Sequence, residues 1–386
     1  MKTVVHYRAG TYLPTTENWI YGQIRGLKRY RPIVYCHGKQ NLGTYPVSTV
    51  RALGSKPGLR HPWTFFNMAL NKVIKFNPLF AFFLIKDRPD IVHAHFGKSG
   101  YYFLNHKKIF KFPLVTTFYG HDLSSLPNRK PEWKRRYKRL FLKGDCFLVE
   151  GSHMKKCLVE LGCPENKVFV QHLGIDLDSV RFVERNPGED GEIRVLMSAS
   201  FRHKKGIPIG IEAFSRVALN HPDLNMRLTI VGDSAGNPGE EEEKRKILSR
   251  IEEYGLSGRV NLLGYQPHSL YLKELYEHHI FLSPSITAPD GDTEGGVPVT
   301  ILEASASGMP VLSTLHCDIP EAVIDKESGC LVRERDVDAL SERLFHLASN
   351  PGIWRNMGLN GRRHIESDYD VKKQIRKLED IYSMFG

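Results

Sequence analysis

A chain of 386 residues is too long for one ordinary core and fits two domains of about 150 to 200 residues each. Hydrophobic residues at 41% and charged residues at 25% are the proportions of a globular protein, and no apolar run approaches the roughly 20 residues that a membrane span needs. Residues 1–180 carry 29 Lys and Arg against 11 Asp and Glu, a balance of +18, whereas residues 181–386 carry 25 against 32, a balance of −7, so the two halves should have different partners and the first should seek an anionic surface: nucleic acid, anionic lipid or a phosphorylated acceptor.

The opening MKTVVHYRAGTYLP reads as a strand and a loop. It lacks the basic start, apolar stretch and small-residue cleavage site of a secretory signal, which predicts a cytoplasmic protein. Short β-branched runs then alternate with stretches long enough for crossover helices: KTVVHY, PIVYCHG, DIVHAHF, PLVTTFYG, CFLVEGS and KVFVQHLG. That alternation predicts a parallel sheet with helices on both faces. After a polar, Gly- and acid-rich stretch, Arg185 to Glu192, the pattern restarts with IRVLMSAS, MRLTIVG, VNLLGY, IFLSPS, PVLST and GCLVR. The restart predicts a second doubly wound domain, with boundaries at 1–184 and 185–386. From about Asp336 the pattern is helical and is broken once, at Asn350-Pro351-Gly352. Two open parallel sheets facing each other across a cleft would bind ligands at the carboxyl ends of their strands. The cysteines (Cys36, Cys146, Cys157, Cys163, Cys317, Cys330) form no Cys-x-x-Cys pair, so neither structural zinc nor a disulfide framework is expected.

The densest motif is Asp290-Gly-Asp-Thr-Glu294-Gly-Gly-Val-Pro298, followed by Val-Thr-Ile-Leu-Glu303-Ala-Ser-Ala-Ser-Gly308-Met-Pro310. It reads as a glycine-rich loop, a helix and a turn into a strand. Pro298 suits the first turn of a helix, which puts the start near Val297. The helix N-terminus behind Gly295 and Gly296 is a ready diphosphate site. Helical side chains tilt back toward the N-terminus, so Glu303 can reach the same ligand and accept two hydrogen bonds from a ribose diol. Phe201-Arg202-His203-Lys204-Lys205-Gly206 directly follows the first strand of the second domain and forms a basic turn there.

These residues resemble glycosyltransferase family 4, whose signature is Glu-x7-Glu followed by Ala-x-x-x-Gly-x-Pro-Val. The resemblance implies the GT-B fold of two Rossmann-like domains and a nucleotide-sugar donor. It assigns Glu303 to the nucleotide ribose, Glu294 with the amides of Gly295, Gly296 and Val297 to the donor sugar and phosphates, and Arg202 and Lys205 to the diphosphate. Two departures stand out: Glu294 and Glu303 are nine apart instead of eight, and the usual Arg position holds Ser200, so Arg202 would reach in from two residues later. In the first half, Thr15-Thr16-Glu17-Asn18-Trp19-Ile20, His93-Ala-His95-Phe96-Gly97, Thr116-Thr-Phe-Tyr119-Gly120-His121-Asp122 and His172-Leu-Gly174-Ile-Asp176 are similar to the polysaccharide-building members. The family commonly has a His at the position of Tyr119, binding a hydroxyl of the donor sugar; Tyr119 and His121 are both candidates for that role, and Gly174 is placed on the donor side. His93, His95 and His172 individually read as core or strand-end residues.

Asp290-Gly291-Asp292 has the form of an Asp-x-Asp metal clamp but lies inside the glycine-rich loop, and no metal is expected to bind. The Glu240 to Glu243 run opens a helix after Asn237-Pro238-Gly239, where acids favour the helix dipole and solvent. Arg129 to Lys143 holds eight Lys and Arg against Glu132, interleaved with Trp133, Tyr137, Leu140 and Phe141, and Trp63 to Leu84 adds apolar residues around Lys72 and Lys75. The aromatic positions fit a core as well as a membrane face; the cations do not fit a core and suit an anionic membrane surface. The expectation is a retaining hexosyl transfer from a nucleotide sugar to a glycan acceptor, lipid-linked, at the inner face of the cytoplasmic membrane, without a cofactor. A nucleotide-sugar epimerase of similar fold is one alternative. A nucleic-acid-binding protein using the basic half is another, against which the acidic second half and the lack of a recognised nucleic-acid module argue.

Overall fold

The computed structural model describes residues 1–14, 17–53, 76–188 and 190–385. Thr15, Thr16 and the 63–75 part of the apolar stretch, with Lys72 and Lys75, lie outside the described residues. The chain divides into two compact units.

In the first unit, β1 (Lys2–Tyr12), β2 (Tyr30–Lys39), β3 (Val50–Ala52), β4 (Ile91–His95), β5 (Leu114–Thr117), β6 (Cys146–Val149) and β7 (Val168–Val170) form one sheet in the order β3-β2-β1-β4-β5-β6-β7. Every pairing is parallel. Val5, Tyr7 and Val92 face one core with Phe103, Tyr137 and Leu140. Val4, Ile91, Val115 and Leu148 face the other with Leu378, Ile381 and Tyr382. Burial on both faces is why these strands read as nearly continuous β-branched runs.

The second unit repeats the plan with β8 (Ile193–Ser198), β9 (Met226–Val231), β10 (Val260–Gly264), β11 (Ile280–Ser283), β12 (Val311–Thr314) and β13 (Gly329–Val332), in the order β10-β9-β8-β11-β12-β13. All its pairings are parallel too. The strand order reverses between β8 and β11, the switch point at which such sheets open a crevice beyond their carboxyl ends. All twelve strands read from the sequence are present, and among the described residues the three-residue β3 is the addition.

The domain boundaries differ from the expectation, because the first unit comprises residues 1–174 and 371–386 and the second residues 175–370. Ile175 and Val180 already belong to the second core. Arg185, placed by sequence in a linker, is 4% exposed and donates to the carbonyls of Val183 and Leu275 and to Ser307 Oγ. At the other end the helical tail breaks twice, at Asn350–Ile353 and again at Tyr369–Asp370. The last helix, Val371–Ser383, then returns to the first unit. Its Leu378, Ile381 and Tyr382 pack on that sheet, and the buried Glu379 carboxylate accepts the backbone N–H groups of Lys28 and Arg29 at 2.7 and 2.6 Å.

Candidate active site

Past the end of β8 the chain turns through Arg202 to Gly206. Gly206 has φ +63°, and a Cβ there would lie 2.0 Å from the carbonyl oxygen of Pro284, so only glycine lets the turn sit against the end of β11. The turn thereby presents its cations to the loop that follows β11. Arg202 Nη2 lies 2.6 Å from Asp292 Oδ2, Lys204 Nζ 2.6 Å from the carbonyl of Thr293, and Lys205 Nζ 2.9 Å from Glu294 Oε2. Ser285 Oγ donates to the other Glu294 oxygen at 2.8 Å. Three cations thus face two carboxylates. Burial alone would raise the Glu294 pKa, but the ammonium groups of Lys205 and Lys204, with the hydrogen bonds from Lys205 and Ser285, hold it down to about 2. Lys204 is the most buried of the cations at 6% exposure; burial lowers its pKa, opposed by the charge of Glu294.

A second layer fixes the loop from behind. The backbone N–H of Glu294 donates to His316 Nε2 at 3.1 Å, and His316 Nδ1 lies 2.6 Å from Glu334 Oε1. With Nε2 accepting, the proton is assigned to Nδ1, where Glu334 receives it. Glu334 is itself held by the backbone N–H of Thr287 at 2.7 Å. Neither His316 nor Glu334 was singled out from the sequence, since neither belongs to a motif; the available signal was a position just past the ends of β12 and β13.

The loop leads through Gly295, at φ +76°, and the buried Gly296 and Val297 into the helix Val299–Ala306. Pro298 is the capping residue, not part of the first turn, so the helix begins two residues later than expected. Glu303 lies on its buried side at 8% exposure, and its Oε1 is 2.9 Å from His268 Nε2. His268 opens the helix His268–Glu277, and its hydrogen bond to Glu303 raises its pKa. Tyr271 stands one turn along from His268, their rings 5.8 Å apart, and burial and the charge of Glu303 push its phenol far up. His268 is a further residue that the sequence did not mark.

The Asp-x-Asp pair is used within the loop: Asp292 is buried between Arg202 and Lys204, and Asp290 Oδ1 accepts the Asp292 backbone N–H at 3.1 Å. Of the Glu240 to Glu243 run, Glu241 and Glu242 are exposed as expected. Glu243 is not in solvent; it is 3% exposed and 3.4 Å from His203 Nδ1, which ties this helix to the basic turn.

A family model described as "Glycosyltransferase Family 4" matches residues 17–179, and one described as "Glycosyl transferases group 1" matches residues 180–364. The chain is 35% identical over 301 residues to an Escherichia coli K12 protein named as a colanic acid biosynthesis glycosyltransferase, covering 76% of this chain and 70% of that one. It is 32% identical over 294 residues to the amylovoran biosynthesis glycosyltransferase of Erwinia amylovora, covering 76% and 69%. The chain belongs to glycosyltransferase family 4. Its GT-B fold matches over the full length of the chain the crystal structure of Anabaena HepE in complex with UDP and glucose, with TM-score 0.78 at 16% identity and 100% of that chain covered. The outer core galactosyltransferase WaaB of lipopolysaccharide matches likewise, with TM-score 0.72 at 18% identity and both chains fully covered.

In the first unit of the transferase, register pairs His6 of β1 with His93 of β4 and brings His95 beside them, with ring nitrogens within 4.8 Å of one another. These nitrogens are largely committed to hydrogen bonds. His6 Nδ1 meets His95 Nε2 at 3.0 Å, His95 Nδ1 meets the Tyr119 hydroxyl at 2.7 Å, and His93 lies 2.6 Å from both the Tyr382 hydroxyl and Thr117 Oγ1. Burial depresses the pKa of all three, so they form a neutral polar spine, the core role read for His93 and His95. Tyr119 is buried in that chain, whereas His121, two residues on, is exposed. His172 donates through Nδ1 to the carbonyl of Glu150 at 2.6 Å. At Gly174 a Cβ would lie 2.4 Å from Val371 Cα; its lack of a side chain serves close backbone packing where the last helix begins.

Proposed function

We propose that the transferase moves a hexosyl group from a nucleotide-sugar donor to a glycan acceptor, lipid-linked, in the building of a cell-surface polysaccharide, with retention of anomeric configuration. The observation that carries the donor reading is the grouping of Arg202, Lys204 and Lys205 around Asp292 and Glu294, next to the amides leading into the Val299–Ala306 helix. A diphosphate completes that charge set. Glu303 follows on the same helix and is read as the acid for the ribose. As the bond from the anomeric carbon to the diphosphate oxygen breaks, negative charge grows on the leaving group, where fixed cations stabilise it most. The acceptor oxygen forms the new bond on the same face, and the leaving phosphate takes its proton, so no side chain is assigned as general base. Glu294 orients the donor sugar. The reading of a polysaccharide product rests on the names of the relatives, and that of a nucleotide sugar on the ligands in the HepE structure.

The acceptor reading rests on the basic half. Trp133, Tyr137, Leu140 and Phe141 are buried, so the aromatic positions of the helix Glu132–Lys143 belong to the core. Its outer face exposes Lys134, Arg135, Lys138, Arg139 and Lys143 together with Leu142 at 75%, a composition suited to the headgroup layer of an anionic membrane. Among the described residues no helix is long and apolar enough to cross a membrane, and attachment would be peripheral. The test is a thermal-shift screen of UDP-, GDP- and ADP-sugars, followed by transfer to membrane extracts and NMR of the new linkage. An inverted anomeric centre would overturn retention, and stabilisation by none of the sugars or nucleotides would overturn the donor site.

A further inference from the structure

We infer that His268 is a positioning residue for the nucleotide, holding the Glu303 carboxylate in the orientation that meets the ribose diol. The inference rests on the proposed role of Glu303 and adds to it a residue from a different element. Glu303 carries its carboxylate on three rotatable bonds, and its side chain is 11% exposed. A carboxylate that must accept two hydrogen bonds from vicinal hydroxyls has to present one edge in a defined plane. His268 Nε2, at 2.9 Å from Oε1, uses one of the roughly four lone-pair directions of the carboxylate, and with the Tyr271 phenol also directed at Glu303 about two directions remain for a ligand.

His268 is well placed for such support. It is the first residue of its helix, so its backbone is fixed by the turn Tyr265-Gln266-Pro267 that follows β10 and by the helix behind it. The buried Tyr271 ring packs beside the imidazole and limits where it can rotate. Its side chain remains 54% exposed, which marks a residue kept for what it holds and not for filling the core.

The test is calorimetric binding of UDP and of 2′,3′-dideoxy-UDP, with GDP and its dideoxy analogue as the second base, to the parent protein and to His268→Ala, His268→Gln and Glu303→Gln. His268→Ala should weaken binding of the ribonucleotide about three- to tenfold and leave that of the dideoxynucleotide unchanged, because the analogue has no diol for Glu303 to meet. His268→Gln retains an N–H donor and should recover most of the loss. A purely structural role would weaken both nucleotides equally and would overturn the inference. So would an unchanged His268→Ala in a background where Glu303→Gln loses affinity, an outcome that leaves the donor reading standing. If Glu303→Gln also binds as the parent does, or the parent binds neither UDP nor GDP, the donor reading falls and the inference with it.

Discussion

Lys205 Nζ and Glu294 Oε2 lie 2.9 Å apart, so the cation read for the leaving diphosphate and the acid read for the donor sugar are one ion pair. A diphosphate bound as proposed would share a cation that Glu294 already holds in place. Preorganisation of this kind matters most when charge is fully developed on the leaving group. Lys205→Ala should therefore depress kcat more than it raises the KM for donor, and the parent should stay active in EDTA. Loss of parent activity in EDTA, restored by manganese, would replace this account with a metal-assisted one.

The same pair has a pH signature. The folded pKa of Glu294, about 2, lies below its ordinary 4.5. An acid with a depressed folded pKa contributes stability that is present above the unfolded value and is lost as pH falls toward the folded one. Up to about 3 kcal/mol should disappear between pH 4.5 and 2 through this group. Urea unfolding of the parent and of Glu294→Gln at a series of pH values reads the effect: the stability gap between them should narrow as pH falls, and parallel profiles would separate Glu294 from the acid sensitivity.

Glu303→Gln keeps the size of the side chain and removes the charge-assisted hydrogen bonds to a ribose, each worth about 1.5 to 3 kcal/mol. Donor affinity measured by calorimetry should fall at least about tenfold. Unchanged affinity in a folded variant would take Glu303 out of the site.

For the membrane reading, each exposed cation near anionic lipid offers up to about 1 kcal/mol. The parent should co-sediment with anionic vesicles at low salt and be released as salt rises. Changing Lys134, Arg135, Arg136, Lys138 and Arg139 to Gln should abolish pelleting while leaving donor hydrolysis intact. Equal pelleting of variant and parent, or no preference for anionic over neutral vesicles, would assign the patch to another partner.

Glu379 tests the return of the last helix. Its carboxylate, 2% exposed, accepts two backbone N–H groups and an Arg29 side chain. Glu379→Ala leaves those donors unpaired and should cost about 2 to 4 kcal/mol, read by denaturant unfolding. A loss below about 0.5 kcal/mol would mean that the helix is not held by this contact.

The two doubly wound sheets were legible in the residues themselves, because strands buried on both faces must be written as β-branched runs and each run was separated by enough chain for a helix. The motif residues were legible for a related reason: Arg202 and Lys205 on one loop, and Glu294 with the helix that carries Glu303 on the other side, follow the carboxyl ends of β8 and β11, which parallel topology makes neighbours. The exposure of the Arg129–Lys143 cations followed from the cost of burying charge. What tertiary structure alone decided lies across larger separations. An amphipathic pattern at 371–383 says that a helix buries one face, not which sheet receives it, and the partner residues Lys28 and Glu379 are 351 apart. The supports of the site, His316 accepting from the Glu294 amide across 22 residues and His268 at Glu303 across 35, carry no motif because a hydrogen bond needs only a complementary partner brought within reach. The setting of Tyr119 was equally beyond local pattern, since only the packed sheet brings His95 of β4 to its hydroxyl.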